Sequence, residues 1–180
     1  SAPGRRIVGN ISNGVEVTGL DHPRVLDTFD VLERGAAVGD EVLIVDDGEG
    51  GWKGIALALQ LAADGKRVHL STPLPYVGAA LGPFTQNKLV PRVAEAGIVR
   101  HPFSLLTAVD DDGVTLRTDG KPNRLTGIDT VILAGWHEPV TDLYFDLKPR
   151  HASVRRVGDA VASRTMLESI HEAERVARRV

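Results

Sequence analysis

The chain has 180 residues, of which 42% are apolar and 25% charged, with a net charge of −3. At that length one domain with a small appendage is the default, burying about 70% of the unfolded chain's surface. The charge balance gives no electrostatic reason to expect nucleic acid or an anionic membrane as partner. The absence of cysteine excludes disulfides, thiolate catalysis and cysteine-held iron–sulfur clusters within the chain, and fits a reducing cytoplasm. The longest apolar runs fall far short of the roughly 20 residues that span a bilayer.

In chain order, residues 1–24 are rich in Gly, Pro, Ser and Asn and read as loop, with a short strand at "GVEVTG". "DTFDVLERG" (27–35) predicts a short helix capped by Asp27 or Thr28 and stopped by Gly35. Residues 41–46 form an apolar strand. Residues 54–65 form a helix, with Ile55, Ala58, Leu59 and Ala62 at helical spacing, and 67–71 form a strand. A helix over 83–97 carries Pro91 inside it, where a kink is expected. "IVRHPF" reads as a short strand, "LLTAVDDDGVTLRT" as a hairpin, and "DTVILAG" (129–135) as a buried strand. "VTDLYFDLK" predicts a short helix and "SVRRVGD" (153–159) a last strand. An amphipathic helix follows from 161, with Met166, Ile170, Ala173, Ala177 and Val180 on one face. Strands alternating with helices predict a Rossmann-like α/β fold: a parallel sheet flanked by helices, with a small antiparallel β-meander.

Three signals recur at telling spacings: the βαβ unit "EVLIVDDGEGGWKGIALALQLAADGKRVHLST", the strand end "VILAGWHEP" and "RVGDA". Together they resemble flavoprotein oxidoreductases with two dinucleotide-binding domains. "DVLERG", "AGWHEPVTDLYFDLK" and "VGDAVASRTMLESIHEAERVARRV" are similar to the C-terminal part of multidomain Old Yellow Enzyme relatives, the trimethylamine dehydrogenase and 2,4-dienoyl-CoA reductase family. That resemblance covers about residues 24–180. It implies that 1–40 is a flank from the FAD-type domain, 41–150 an NAD(P)-binding-like Rossmann domain, and 151–180 a returning strand and helix of the FAD-type domain. It further implies that the partners are the flavin-barrel domain and the other half of the FAD-type domain. FMN and an iron–sulfur cluster belong only to the parent enzyme, and the chain alone is not catalytic. In the family, the residue matching Asp159 contacts the flavin's ribityl–phosphate region; on this sequence's own terms Asp159 is read as a cap of the last helix.

The first turn of the βαβ unit is where a dinucleotide fold needs glycines. They allow the tight turn, the approach of the backbone to the pyrophosphate, and close helix–strand packing. Gly54 suits the third position and Gly51 the second, so the first falls on Glu49. The loop is about three residues longer than the usual fingerprint, and Asp46, Asp47 and Glu49 place carboxylates where phosphates would sit. Like charges there oppose phosphate unless a metal ion or Lys53 compensates. The second strand ends in "HLSTPLP", with no acid for a ribose; Ser71 and Thr72 offer only weak hydrogen bonds. If a nucleotide binds, the residues are Gly50, Gly51, Lys53 and Gly54, with Gly135 lining the opposite side, and the ligand is NAD(P)H, ADP or FAD. A degenerate site in a structural or docking module is the alternative. The histidines show no metal-ligand spacing, and His69 and His101, in predicted strands, read as packing or hydrogen-bonded structure.

Overall fold

A computed structural model describes residues 5–6, 16–46, 48–135 and 137–179. The chain divides into two compact units, one of residues 8–135 and the other of 1–7 with 136–180.

The larger unit is built on a parallel sheet. Its strands are β1 (Val25–Asp27), β2 (Glu41–Val45), β3 (Arg67–Ser71), β4 (Val99–His101) and β8 (Thr130–Leu133). They lie in the order β1-β8-β2-β3-β4, all parallel. Helix α1 (Thr28–Leu32) leaves β1 through a capping box: the Asp27 carboxylate accepts from the Phe29 and Asp30 amides, and Asp30 accepts from the Asp27 amide. Helices α2 (Trp52–Ala63) and α3 (Pro83–Glu95) follow β2 and β3. Pro83 at the start of α3 costs no hydrogen bond, because the first amides of a helix are unpaired anyway. Pro91 lies within α3, which remains one helix.

A second sheet is antiparallel: β5 (Ser104–Asp110), β6 (Gly113–Thr118) and β7 (Lys121–Thr126), in that order. Its register slips between Leu106 and Ala108. Beside that bulge Thr18 makes a lone parallel bridge to Ala108. Gly19 follows with φ +78°, and a Cβ there would stand 1.9 Å from the Val109 carbonyl oxygen.

Side chains alternate across the parallel sheet, so each strand feeds two cores. Val42 and Ile44 of β2, Val68 and Leu70 of β3 and Ile132 of β8 pack against Ile55, Ala58 and Leu61 of α2 and Leu89 and Val93 of α3. Leu43 and Val45 of β2, with Val131 and Leu133 of β8, face Leu106, Val109, Val114 and Leu116 of the meander. The layers are therefore helices, parallel sheet, antiparallel meander. Burying each such Val, Leu or Ile side chain contributes about 1.5–3 kcal/mol.

The smaller unit pairs Arg5–Arg6 with His137–Glu138 in a two-residue antiparallel ladder. It adds α4 (Asp142–Leu147), a 3₁₀ turn at Gly158–Ala160 and α5 (Met166–Ala177). None of the residues described in α5 is buried; Met166, Leu167 and Ile170 are all more than half exposed.

Several expectations need correction. Residues 153–157 carry no strand, and the Gly-Asp segment is a 3₁₀ turn; Gly158 turns the backbone with φ +59° instead of extending it. β1, unforeseen at 25–27, is an edge strand of the parallel sheet, and it and α1 lie in the larger unit. The strand at "GVEVTG" is reduced to the single bridge at Thr18, its first two residues lying outside the described ones.

Candidate functional site

The C-terminal ends of β2 and β8, with the start of α2, bring Asp46, Glu49, Gly50, Gly51, Lys53, Gly54 and Gly135 together in the larger unit. This is where a dinucleotide fold binds its ligand, outside the carboxyl ends of the strands. Asp47 lies outside the described residues.

Two carboxylates organise the loop. Asp46 is 4% exposed and accepts a hydrogen bond from the Gly50 amide at 3.0 Å. Burial pushes its carboxyl above the ordinary range, and the charge of Glu49 adds to this, against hydrogen bonds from the Gly50 amide and Thr72 that favour the charged form. Glu49 Oε2 accepts from the Gly51 amide at 3.0 Å. Gly51 is the N-cap of α2 and has no side chain of its own to cap it. The amide of the glycine at the second fingerprint position is therefore taken by a carboxylate of the chain itself.

The glycines divide by role. Gly50 has φ +64°, and a Cβ there would come within 2.6 Å of Leu74 Cδ1 and 3.2 Å of the Ala80 nitrogen. Its carbonyl accepts from the Ala80 amide at 3.0 Å, tying the loop to the segment after β3. Gly50 thus allows close approach to this chain's own backbone. Gly54 packs on the sheet as its position predicts, yet a Cβ there would meet Leu70, Ala134 and Asp46 at ordinary distances of 3.5–3.7 Å. Lys53 Nζ donates to the Gly135 carbonyl at 2.8 Å, closing the gap between α2 and the end of β8.

The residues present do not fit a pyrophosphate. Glu49 holds the N-cap amide, Asp46 is a buried carboxylate beside it, and Lys53 is turned to a backbone carbonyl. Ser71 and Thr72 are both fully buried, so neither reaches a ribose; Thr72 Oγ1 instead accepts from the Leu74 amide. By its charge alone Glu49 would repel a phosphate; its hydrogen bond to the Gly51 amide has as its one signal in the sequence a Glu two residues before the helix cap.

Asp159 lies in the smaller unit, on the 3₁₀ turn, beside a cavity of about 450 Å³ that also touches Arg164, Met166 and Ser169. It does not cap the last helix: Thr165 holds that position. Glu172 reaches back to the Gly158 amide at 2.9 Å and pairs with Arg164, fixing the turn. His69 and His101 behave as structure. Their rings stack at 5.2 Å with Nδ1 and Nε2 3.0 Å apart, and His69 Nε2 meets Glu41 at 2.9 Å. Among the described residues no group of three or more His, Asp or Glu side chains could hold a metal, and no helix is long and apolar enough to cross a membrane.

No family model matches the chain, and no curated protein matches it. Solved structures do. A 2-naphthoyl-CoA reductase in complex with 2-naphthoyl-CoA matches 99% of this chain with a TM-score of 0.80 and 21% identity. The 6-hydroxypseudooxynicotine amine oxidase of Pseudomonas geniculata N1 matches 98% with a TM-score of 0.82 and 22% identity. The water-forming NADH oxidase of Lactobacillus brevis, bound to NADH, matches 75% with a TM-score of 0.56 and 20% identity. The chain spans 26%, 28% and 30% of these structures. The likeness is one of fold. It is in keeping with the resemblance read in the sequence: the chain carries the fold of one region of a 2-naphthoyl-CoA reductase and of an amine oxidase.

Proposed function

We propose that the chain is the NAD(P)-domain-like module, with its FAD-type flanks, of a larger NADH:flavin oxidoreductase, and that its own first-turn loop is closed to phosphate. The observation that carries the second half is the Glu49 carboxylate on the Gly51 amide. Redox chemistry belongs to flavin held elsewhere in the parent, as is usual when a cofactor carries the difficult step. The role of this chain's residues is then structural. Lys53 and Gly50 lock the strand-end loop, while the smaller unit presents α5 with Met166, Leu167 and Ile170 exposed. Those side chains suit burial against the missing half of an FAD-type domain, and Asp159 with its cavity would take part in that domain's flavin site.

The competing reading is a working nucleotide module, in which NAD(P)H, ADP or FAD displaces Glu49 and recruits Lys53. Titration of NADH, NADPH, ADP and FAD against the chain, followed by tryptophan fluorescence and melting temperature, separates the two. The closed loop predicts no shift with any of them at about 1 mM; a dissociation constant below about 100 µM would raise the melting temperature by mass action and favour the competitor.

A further inference from the structure

A second cavity, of about 410 Å³, opens on the helix side of the parallel sheet, and none of its lining residues belongs to the loop at 46–51. Ile55 of α2 and Leu89 and Val93 of α3 line it, each no more than 4% exposed. The segment 75–78 and Leu81 complete the apolar wall, with Tyr76 and Val90 50% and 41% exposed at its edge. The segment is held in place: Gln86 Nε2 donates to the Gly78 carbonyl at 3.1 Å and the Leu81 carbonyl at 2.6 Å. The cavity is therefore preformed, and its size falls within the range of about 300–1,000 Å³ typical of small-molecule sites.

Among the described residues its lining contains one charged group, Arg100. The register explains why it is there. Arg100 of β4 pairs with Leu70 of β3, and Leu70 faces the helix-side core, so Arg100 points to that face at the sheet's edge. Its neighbours in β4, Val99 and His101, point to the other face by the same alternation. No hydrogen bond or ion pair of the Arg100 guanidinium is found among the described residues.

We propose that this cavity binds a small amphipathic carboxylate. Its apolar body lies against Ile55, Leu89 and Val93, and its carboxylate lies on Arg100. The walls reward an apolar body by removing it from water. A single planar guanidinium matches a singly charged carboxylate through two parallel N–H···O bonds. A phosphate group, with about twice the charge, would lack a second cation among these residues. The site is independent of the oxidoreductase reading, since it uses none of the strand-end loop.

The test is a ¹⁵N-resolved NMR titration of the 180-residue chain with octanoate and with octanamide, its neutral counterpart. Octanoate is expected to saturate, with shifts concentrated at 75–81, Leu89 and Arg100, and to bind about tenfold more tightly than octanamide. Arg100→Gln, at an exposed position, should reduce octanoate to the affinity of octanamide while leaving octanamide unchanged. Val90→Trp, which obstructs the edge of the cavity, should weaken both, and the same spectra show that each variant is folded. No saturation below about 10 mM, equal affinities for octanoate and octanamide, or octanoate binding untouched by Arg100→Gln would each overturn the proposal.

Discussion

Glu49 Oε2 accepts a hydrogen bond from the Gly51 amide at 3.0 Å, at the N-terminus of the helix that a dinucleotide fold turns toward phosphate. The chain supplies an anion of its own to the partial positive charge of that helix end. A glutamate can do this because its carboxylate reaches the amide two residues on, and Gly50, with φ +64°, makes the turn between them.

Asp46 makes the same loop sensitive to pH. Burial first, and Glu49 second, raise its native pKa above the ordinary value of about 3.9. Its contribution to stability is thus fully present below the unfolded pKa and is lost as pH rises through the raised native value. Asp46→Asn keeps an oxygen for the Gly50 amide and removes the titration. Urea denaturation at pH 3.5 and pH 7 should show the variant gaining on the wild type as pH rises; an unchanged difference would show that burial does not perturb this carboxyl.

His101 acts in the opposite direction. Burial, together with the charge of stacked His69, holds its imidazole below the ordinary range. The unfolded chain takes up that proton first, so stability is full above about pH 6.5 and falls as pH drops through the lowered native value. His101→Gln should flatten the loss of stability between pH 7 and pH 5, measured as the denaturant midpoint at each pH. A slope equal to that of the wild type would remove His101 from the account.

Two glycines are predicted to respond with opposite signs. Gly54 stands inside α2 with ordinary van der Waals room for a Cβ, so Gly54→Ala should stabilise by about 0.5–1 kcal/mol through backbone entropy. Gly19 combines φ +78° with a 1.9 Å clash against the Val109 carbonyl, so Gly19→Ala should destabilise by about 2 kcal/mol or more. Thermal melts of both variants check this; a destabilised Gly54→Ala would restore the demand for glycine that the usual fingerprint makes.

The βαβ unit was legible because its signals are local. Val42–Val45 is a continuous apolar run, Ile55, Ala58, Leu59 and Ala62 recur at helical spacing (Ile55 and Ala58 are buried, Leu59 and Ala62 partly so), and the strand expected at 67–71 is Arg67–Ser71. β1 was not legible: its three residues, the last of them the helix cap Asp27, carry no periodicity, and only pairing with β8 makes them a strand. β7 has exposed or half-exposed side chains throughout, so it offers no alternation of apolar residues to read. The expected last strand failed because Val154 and Val157 suggest a strand that nothing in the sheet pairs with. At the site, sequence spacing placed Glu49 and Gly51 in the right order. It could not show that Glu49 would bond to Gly51, or that Lys53 would reach Gly135, because both depend on how the loop folds over the strand ends. The cavity beside Arg100 depends on sheet register and left no motif.

The closed loop is tested most directly by calorimetric titration of ADP into the wild-type chain and into Glu49→Gly, which places a glycine at the first fingerprint position and frees the Gly51 amide. The account predicts no measurable heat for the wild type at about 1 mM ADP and at least about tenfold tighter binding for the variant, the effect of losing one competing charge-assisted hydrogen bond. Binding of ADP to the wild type below about 100 µM, unchanged in Glu49→Gly, would contradict it.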